Sequence, residues 1–312
     1  MKRSRKAAYT GTLIFATVVL GLTSCAQNVK ITAPRYALAI GAQNYLYANS
    51  LSYTIADANS MSSLLTQKGW GSVSTLVDPD STRQGIVDAI SSLAAKVESD
   101  STVLIYFSGH GGLLEDGTTA VICPIDANFL TNSSIIDPST VISAAQLQSM
   151  LAELPTKNVI VILDSCYSGG FVPTGGAIDS SPSNYADMPS YSAFSTALDN
   201  FGNLLSANAS ASGNKTPVVL SAAGSDESSY DGSASQGHGV FTYFLLQAAT
   251  NGDANGDGVV TTTEAYEYTI SNLMAWDNEI PQMYQYIPQD EWPLPFLPHL
   301  SGGVRDLVLF GS

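Results

Sequence analysis

The chain has 312 residues, 45% of them hydrophobic, 9% aromatic and 12% charged, which is material for one or two domains with a sizeable core and excludes a disordered chain. Twelve Lys and Arg stand against 27 Asp and Glu, and the resulting net charge of −15 excludes a phosphate backbone, hence nucleic acid, as a partner. Three cysteines are too few for a disulfide framework.

Residues 1–24 read as an export signal, outside the fold. Lys2, Arg3, Arg5 and Lys6 form a basic head, and the apolar run from Gly11 to Leu22 is too short to cross a bilayer core of about 30 Å as a mature helix. The stretch Leu22-Thr23-Ser24-Cys25 that follows resembles a bacterial lipobox. That resemblance implies cleavage before Cys25, diacylglycerol on its thiol and acylation of its new amine. The protein would then be exported and lipid-anchored to a bacterial membrane, at its periplasmic or cell-surface face. The plainer alternative is an ordinary signal peptide with an incidental cysteine. Residues 25–34 read as a tether, and residues 35–312 as one domain.

Strand and helix patterns alternate from there. Arg35 to Gly41 is a continuous apolar run closed by glycine, as a strand buried on both faces requires. Thr54 to Lys68 is helical by period, with Ile55, Met61, Leu64 and Leu65 on one side and Gly69 as a stop. Val73 to Val77 reads as a strand ended by Asp78-Pro79, Arg83 to Val97 as a helix, and Thr102 to Phe107 as a strand. Ala120 to Pro124 is a short extended piece, Ser143 to Glu153 a helix and Asn158 to Leu163 an apolar strand. Residues 171–216 shift to Ser, Gly, Asn, Ala and Pro, and read as a long surface loop. Sheet signals resume at Pro217 to Ala222, followed by helices over Val240 to Thr250 and Thr262 to Met274 and an edge strand over Val304 to Phe310. Apolar strands alternating with amphipathic helices predict an α/β fold, with a mainly parallel sheet covered by helices.

Two of these strands end in unusual turns, Tyr106-Phe107-Ser108-Gly109-His110-Gly111-Gly112 and Asp164-Ser165-Cys166-Tyr167-Ser168-Gly169-Gly170. Active sites of open parallel sheets form at carboxyl strand ends, and a His and a Cys there supply a general acid–base and a nucleophile. Taken singly, Cys166 is an inert thiol and His110 a turn residue. Together, in order and behind buried strands, they read as a catalytic pair. Cys123, in a short strand, reads as core; His238, between two glycines before a helix, reads as a residue that caps or fills its turn.

The two turns, with the ALAIG strand and Ala56-Asp57-Ala58 on the first helix, resemble the caspase-like cysteine peptidases, specifically the bacterial relatives of metacaspases. Tyr167 departs from the His common there in eukaryotic metacaspases. The resemblance implies a caspase-like α/β/α sandwich with a roughly six-stranded sheet and an endopeptidase acting on proteins or peptides without an organic cofactor. Cys166 would be the nucleophile, forming a thioester, and His110 the acid–base. The N–H groups of Cys166 and Gly111 would form the oxyanion hole. Asp164 stands two residues before the nucleophile, where true caspases carry Gln, and with Asp57 matches the acid pair of metacaspases. Two carboxylates in a half-buried pocket call for a cation, so cleavage after Arg or Lys is expected. By the same resemblance, Ser221-Ala222-Ala223 with Asp226 and Ser229 are expected to form the wall of the substrate cleft. Cleavage after Asp would need a basic pocket residue, and none lies near either motif; a catalytically silent binding module of the same fold is the reading from another class. Lys215, the one basic residue between Cys166 and Arg305, is a conceivable self-cleavage point.

Residues 253–264 fit a calcium loop of EF-hand type. Asp253, Asn255 and Asp257 fall at positions 1, 3 and 5, Gly258 at 6, the Val259 carbonyl at 7, Thr261 at 9 and Glu264 at 12. The alternative is an ordinary Asx-rich turn. A structural Ca²⁺ is expected.

Overall fold

In the computed structural model, residues 31–116, 119–128, 136–166, 217–222, 237–277, 299–301 and 306–311 are described. Strand β1 (Arg35–Gly41) is buried along nearly its whole length, as its unbroken apolar run predicts. Helix α1 (Thr54–Gln67) packs Ala58, Met61 and Leu65 against the sheet and ends just before Gly69, whose φ is 80°. There follow β2 (Ser72–Val77), α2 (Arg83–Ala94) and β3 (Thr102–Leu113). Next come β4 (Ala120–Ile122), β5 (Ile142–Ser143), α3 (Ala144–Ala152) and β6 (Asn158–Cys166). The Thr82 hydroxyl caps α2 by accepting from the Gly85 N–H at 3.0 Å, and Ser143 with Gln146 forms a capping box on α3.

The chain continues with β7 (Val218–Ser221), α4 (Val240–Asn251), β8 (Val260–Thr261), α5 (Thr262–Asp277), β9 (His299–Ser301) and β10 (Val308–Phe310). The main sheet runs β2-β1-β3-β6-β7-β9, with β4 and β5 attached to the far end of β3. The first five strands of that path pair in parallel and β9 closes the edge antiparallel to β7.

Strict alternation divides the core. Ala37, Ala39, Leu104, Tyr106, Ile160 and Ile162 face α1 and α4, whereas Leu38, Ile40, Val103, Ile105, Phe107, Val161 and Leu163 face α2 and α3. This is the helix–sheet–helix sandwich that the pattern predicts.

Three elements differ from the sequence reading. Strand β3 does not stop at Phe107 but carries Ser108-Gly109-His110 on as paired strand, and Gly111 to Leu113 then switch partner to antiparallel β4. The glycines fit because side chains would collide: a Cβ on Gly109 would lie 2.7 Å from the Tyr45 hydroxyl, and one on Gly112 2.6 Å from Ile136. Strand β6 likewise runs to Cys166. The final strand, expected at the sheet edge, instead forms a separate two-stranded ribbon with β8, and β9 takes the edge. That ribbon is tied to the start of the domain. The buried Arg35 guanidinium donates from Nη2 to the Gly311 carbonyl at 2.6 Å and the Lys68 carbonyl at 2.7 Å, lies 5.3 Å from the Trp70 ring centre, and Trp70 Nε1 donates to the Leu309 carbonyl at 3.0 Å. Among the described residues no helix is long and apolar enough to cross a membrane. Cys25, Lys215 and the whole of the expected loop over 171–216 lie outside the described residues.

Candidate active site

The pairing of β3 with β6 sets the site. Their parallel register runs without a slip from Thr102 opposite Asn158 to Ser108 opposite Asp164, Gly109 opposite Ser165 and His110 opposite Cys166. Neighbouring strands lie about 4.8 Å apart, so two residues 56 positions apart in sequence become adjacent at the carboxyl rim of the sheet. His110 has the parity of Tyr106 and Ser108, and Cys166 that of Ile162 and Asp164, which place both positions on the α1/α4 face. Of Cys166 only the backbone is described.

The segment between β1 and α1 folds over His110 and fixes its ring. The Tyr45 hydroxyl accepts from the His110 backbone N–H at 2.7 Å and donates to the Cys123 carbonyl at 2.9 Å, while the two rings stack at a tilt with centres 4.5 Å apart. His110 Nε2 meets the Asn49 carbonyl at 2.8 Å. A carbonyl only accepts, so Nε2 carries the proton and Nδ1 is the basic nitrogen. The imidazole is 1% exposed, and that burial pulls its pKa down to about 4 against the opposing pull of Asn49. It is a neutral, oriented base whose second nitrogen is committed to a fixed acceptor, the logic of a base held by a third group. Asn49 and Tyr45 carried no signal in the sequence, since one acts through its main chain and the other sits in an irregular stretch.

Gly111 follows in β3, where a Cβ would lie 3.1 Å from the Ser165 hydroxyl oxygen and 3.4 Å from the Val121 carbonyl. A side chain there would press on Ser165 of β6, which glycine avoids. Cys123 is fully buried and its thiol is pushed up to about 12, so it is an inert core residue as expected.

Asp57 and Asp164 do come together, and more deeply than a half-buried pocket: they are 1% and 3% exposed. Both converge on Gly239, the residue before α4, where a Cβ would lie 3.0 Å from Asp164 Oδ2 and 3.2 Å from Asp57 Oδ2. Asp57 accepts from the Gly239 N–H at 3.2 Å and the Ser108 hydroxyl at 3.1 Å, and pairs through Oδ1 with His238 Nδ1 at 2.9 Å. Asp164 accepts from the Thr242 N–H at 3.2 Å and from the Thr242 hydroxyl. Gly239 has no side chain to cap α4, so two carboxylates from distant elements cap it, at the end where the helix dipole favours negative charge. Burial pushes the Asp57 carboxyl up, opposed by His238, Ser108 and Gly239. Behind the pair lies Tyr106, whose hydroxyl sits 2.6 Å from Thr242 Oγ1; burial first, then the two carboxylates, push it well above 10. The sequence reading placed His238 in its turn but missed its partner.

Ser221, at the carboxyl end of β7, pairs with Leu163 and shares that residue's α2/α3 face, buried, whereas the next residue, Ala222, packs with the α1/α4 core. Asp226 and Ser229 lie outside the described residues.

The acidic loop joins α4 to α5. Gly256 and Gly258 take φ of 75° and 86°, and Asp253 gathers the N–H groups of Gly256 at 2.7 Å, Asp257 at 3.2 Å and Gly258 at 2.9 Å. Asn255 accepts from Asp257 N and Asp257 from Val259 N. Glu264 turns back to Thr261, accepting from its N–H at 3.0 Å and its hydroxyl at 3.1 Å, while Thr261 caps Glu264 in return. Among the described residues no three His, Cys, Asp or Glu side chains are gathered about a common metal position.

Comparison with known proteins agrees with this architecture. The sequence model described as "Caspase domain" matches residues 34–288. The chain is 30% identical over 155 residues to Metacaspase-1 of Lodderomyces elongisporus, covering 43% of this chain and 32% of that protein. It is 31% identical over 154 residues to Metacaspase-1 of Schizosaccharomyces pombe, covering 44% and 34%, and 32% identical over 155 residues to Metacaspase-1 of Candida albicans, covering 43% and 33%. It thus spans about a third of the length of these relatives. Among solved structures, protein GSU0716 from Geobacter sulfurreducens superposes with a TM-score of 0.50 at 17% identity, over 86% of this chain and 92% of that one, a likeness of fold. With that match spanning β1 to beyond α5 and the His and Cys turns meeting at one rim, the chain belongs to the caspase-domain peptidase family.

Proposed function

We propose that this protein is a cysteine endopeptidase that cleaves after Arg or Lys through Cys166 and His110. The observation that carries the reading is the unbroken β3–β6 register, which makes His110 and Cys166 neighbours at the carboxyl rim. His110 takes the thiol proton of Cys166 as the sulfur attacks the peptide carbonyl. The oxyanion is met by the N–H groups of Gly111 and Cys166. Collapse breaks the C–N bond, His110 delivers the proton to the leaving amine, and a thioester remains. Water, deprotonated by His110, then releases the acid and the thiol. Asp57 and Asp164, two positions from His110 and Cys166 by way of Ser108 and directly, give the adjoining pocket its negative charge. A cationic side chain is the occupant that charge selects.

Peptides ending in Arg, Lys, Asp or an uncharged residue before the scissile bond test this. Cleavage after Arg and Lys, abolished in Cys166→Ala, is expected; preference for Asp would overturn the pocket reading. One observation favours the silent binding module, the 1% exposure of His110. Labelling of Cys166 by a thiol-reactive peptide separates the two, since the silent module would not react.

Two further assignments accompany this reading. Residues 253–264 would hold Ca²⁺ through Asp253, Asn255, Asp257, the Val259 carbonyl, Thr261 and Glu264. The donor set is all oxygen and the loop already turns at Gly256 and Gly258, although Glu264 must release Thr261 to join it. The ion would brace α4 against α5. Export and lipidation at Cys25 would place the domain on a membrane; incorporation of labelled palmitate, lost in Cys25→Ser, tests that assignment.

A further inference from the structure

We infer that His238 is a specificity-determining residue, standing in the place that the substrate's cation takes and leaving when the substrate binds. This deepens the reading of the Asp57–Asp164 pocket and rests on it. The pocket's two carboxylates are buried, and they accept from groups that cannot leave: Asp57 from the Ser108 hydroxyl and the Gly239 N–H, Asp164 from the Thr242 N–H and hydroxyl. A partner that can leave is the imidazole of His238, which lies 2.9 Å from Asp57 Oδ1, nearer than the Gly239 N–H that shares this oxygen at 3.2 Å. The His238 side chain is also the exposed member of the cluster, at 18% against 2% for Asp57. It borders a groove of about 360 Å³ between α1 and α4, walled by Asn59, Ser63, Gln67 and Leu246. The imidazole therefore has somewhere to go. Rotation into that groove uncovers a buried carboxylate oxygen, and an incoming guanidinium or ammonium supplies the donor that the oxygen loses.

Competition of this kind makes the pocket demanding. A substrate without a positive charge gains nothing that offsets the lost His238–Asp57 contact, so His238 sharpens selection for basic side chains while weakening binding of all of them. Among the described residues, the ionisable groups facing His238 are Asp57 from α1 and, behind it, Asp164 from β6 and Tyr106 from β3; the residues of α1 and α4 that line the groove are uncharged.

The experiment compares the full protein with His238→Ala and His238→Asn on peptides carrying Arg, Lys or an uncharged residue before the scissile bond. In His238→Ala, KM for Arg peptides is expected to fall by about tenfold, with kcat within twofold. Binding of benzamidine to Cys166→Ala, with and without His238→Ala, reads the same competition without turnover. A KM or benzamidine affinity that is unchanged or worse in folded His238→Ala and His238→Asn overturns the inference and leaves a merely structural histidine. If the wild-type protein prefers uncharged or acidic residues, the pocket reading itself fails. If it prefers Arg and Lys while the His238 variants show no gain, only the inference fails.

Discussion

Tyr45→Phe removes one oxygen from a side chain that no motif marks, yet two buried main-chain groups depend on it. The hydroxyl accepts from the His110 N–H at 2.7 Å and donates to the Cys123 carbonyl at 2.9 Å, and the residue is 7% exposed. Losing a partner strands each group out of water at about 1–3 kcal/mol, so a total of about 2–6 kcal/mol is expected. For a domain of this size each kcal/mol lowers Tm by about 2–4 °C, which predicts a fall of at least about 4 °C by circular dichroism. Because the freed group is the main chain of His110, kcat should fall by about tenfold or more even at temperatures where the variant is folded, since small displacements of a catalytic group are costly. Tyr47→Phe, 58% exposed on the same segment, is the control and should change neither quantity. A Tyr45→Phe protein that melts within a degree of wild type at undiminished kcat would refute the claim that this hydroxyl holds His110 in place.

The depressed pKa of His110, about 4 against an ordinary 6.5, means that the unfolded chain takes up its proton first; the stability this site contributes is intact above about pH 6.5 and lost as pH falls towards 4, some ~3 kcal/mol in all. Urea midpoints of wild type and His110→Leu across that range should converge at low pH, and parallel curves would contradict it. Trp70→Phe, which strands the Leu309 carbonyl, should cost about 1–3 kcal/mol in urea unfolding, and a neutral result would remove the clamp on β10. Excess chelator should lower Tm in wild type but not in Asp253→Ala, which should itself be less stable because three N–H groups lose their acceptor; no shift in wild type would count against a bound Ca²⁺.

Where burial on both faces dictated composition, the elements were legible. β1 and the start of α2 fall at the expected residues because an apolar run closed by Gly41 and the cap at Thr82 are local signals. The extension of β3 through His110 was not, because glycines that signal a turn in isolation here serve close approach to Tyr45 and Ile136. β9 lies beside a proline- and aromatic-rich stretch with no period, and β10 pairs according to the loop before α5 rather than its own pattern. The His–Cys pair could be named from its motifs, and strand register supplied their adjacency. The Asn49 carbonyl was beyond any reading of residue types, since every residue carries one. The capping of α4 by Asp57 and Asp164 needed the third dimension too, as the two acids lie far before the helix in sequence.

The clamp between Arg35 and Gly311 has a geometric corollary. Parallel strands share a polarity, so Arg35, at the amino end of β1, and the ribbon bound to it occupy the pole of the sheet opposite His110 and Cys166, about 20 Å away along β1 alone. Whatever precedes the domain is delivered at that far pole. If the proposed anchor at Cys25 holds the chain, the rim that carries His110 and Cys166 would face outward, like a lamp on its stand, away from the attachment.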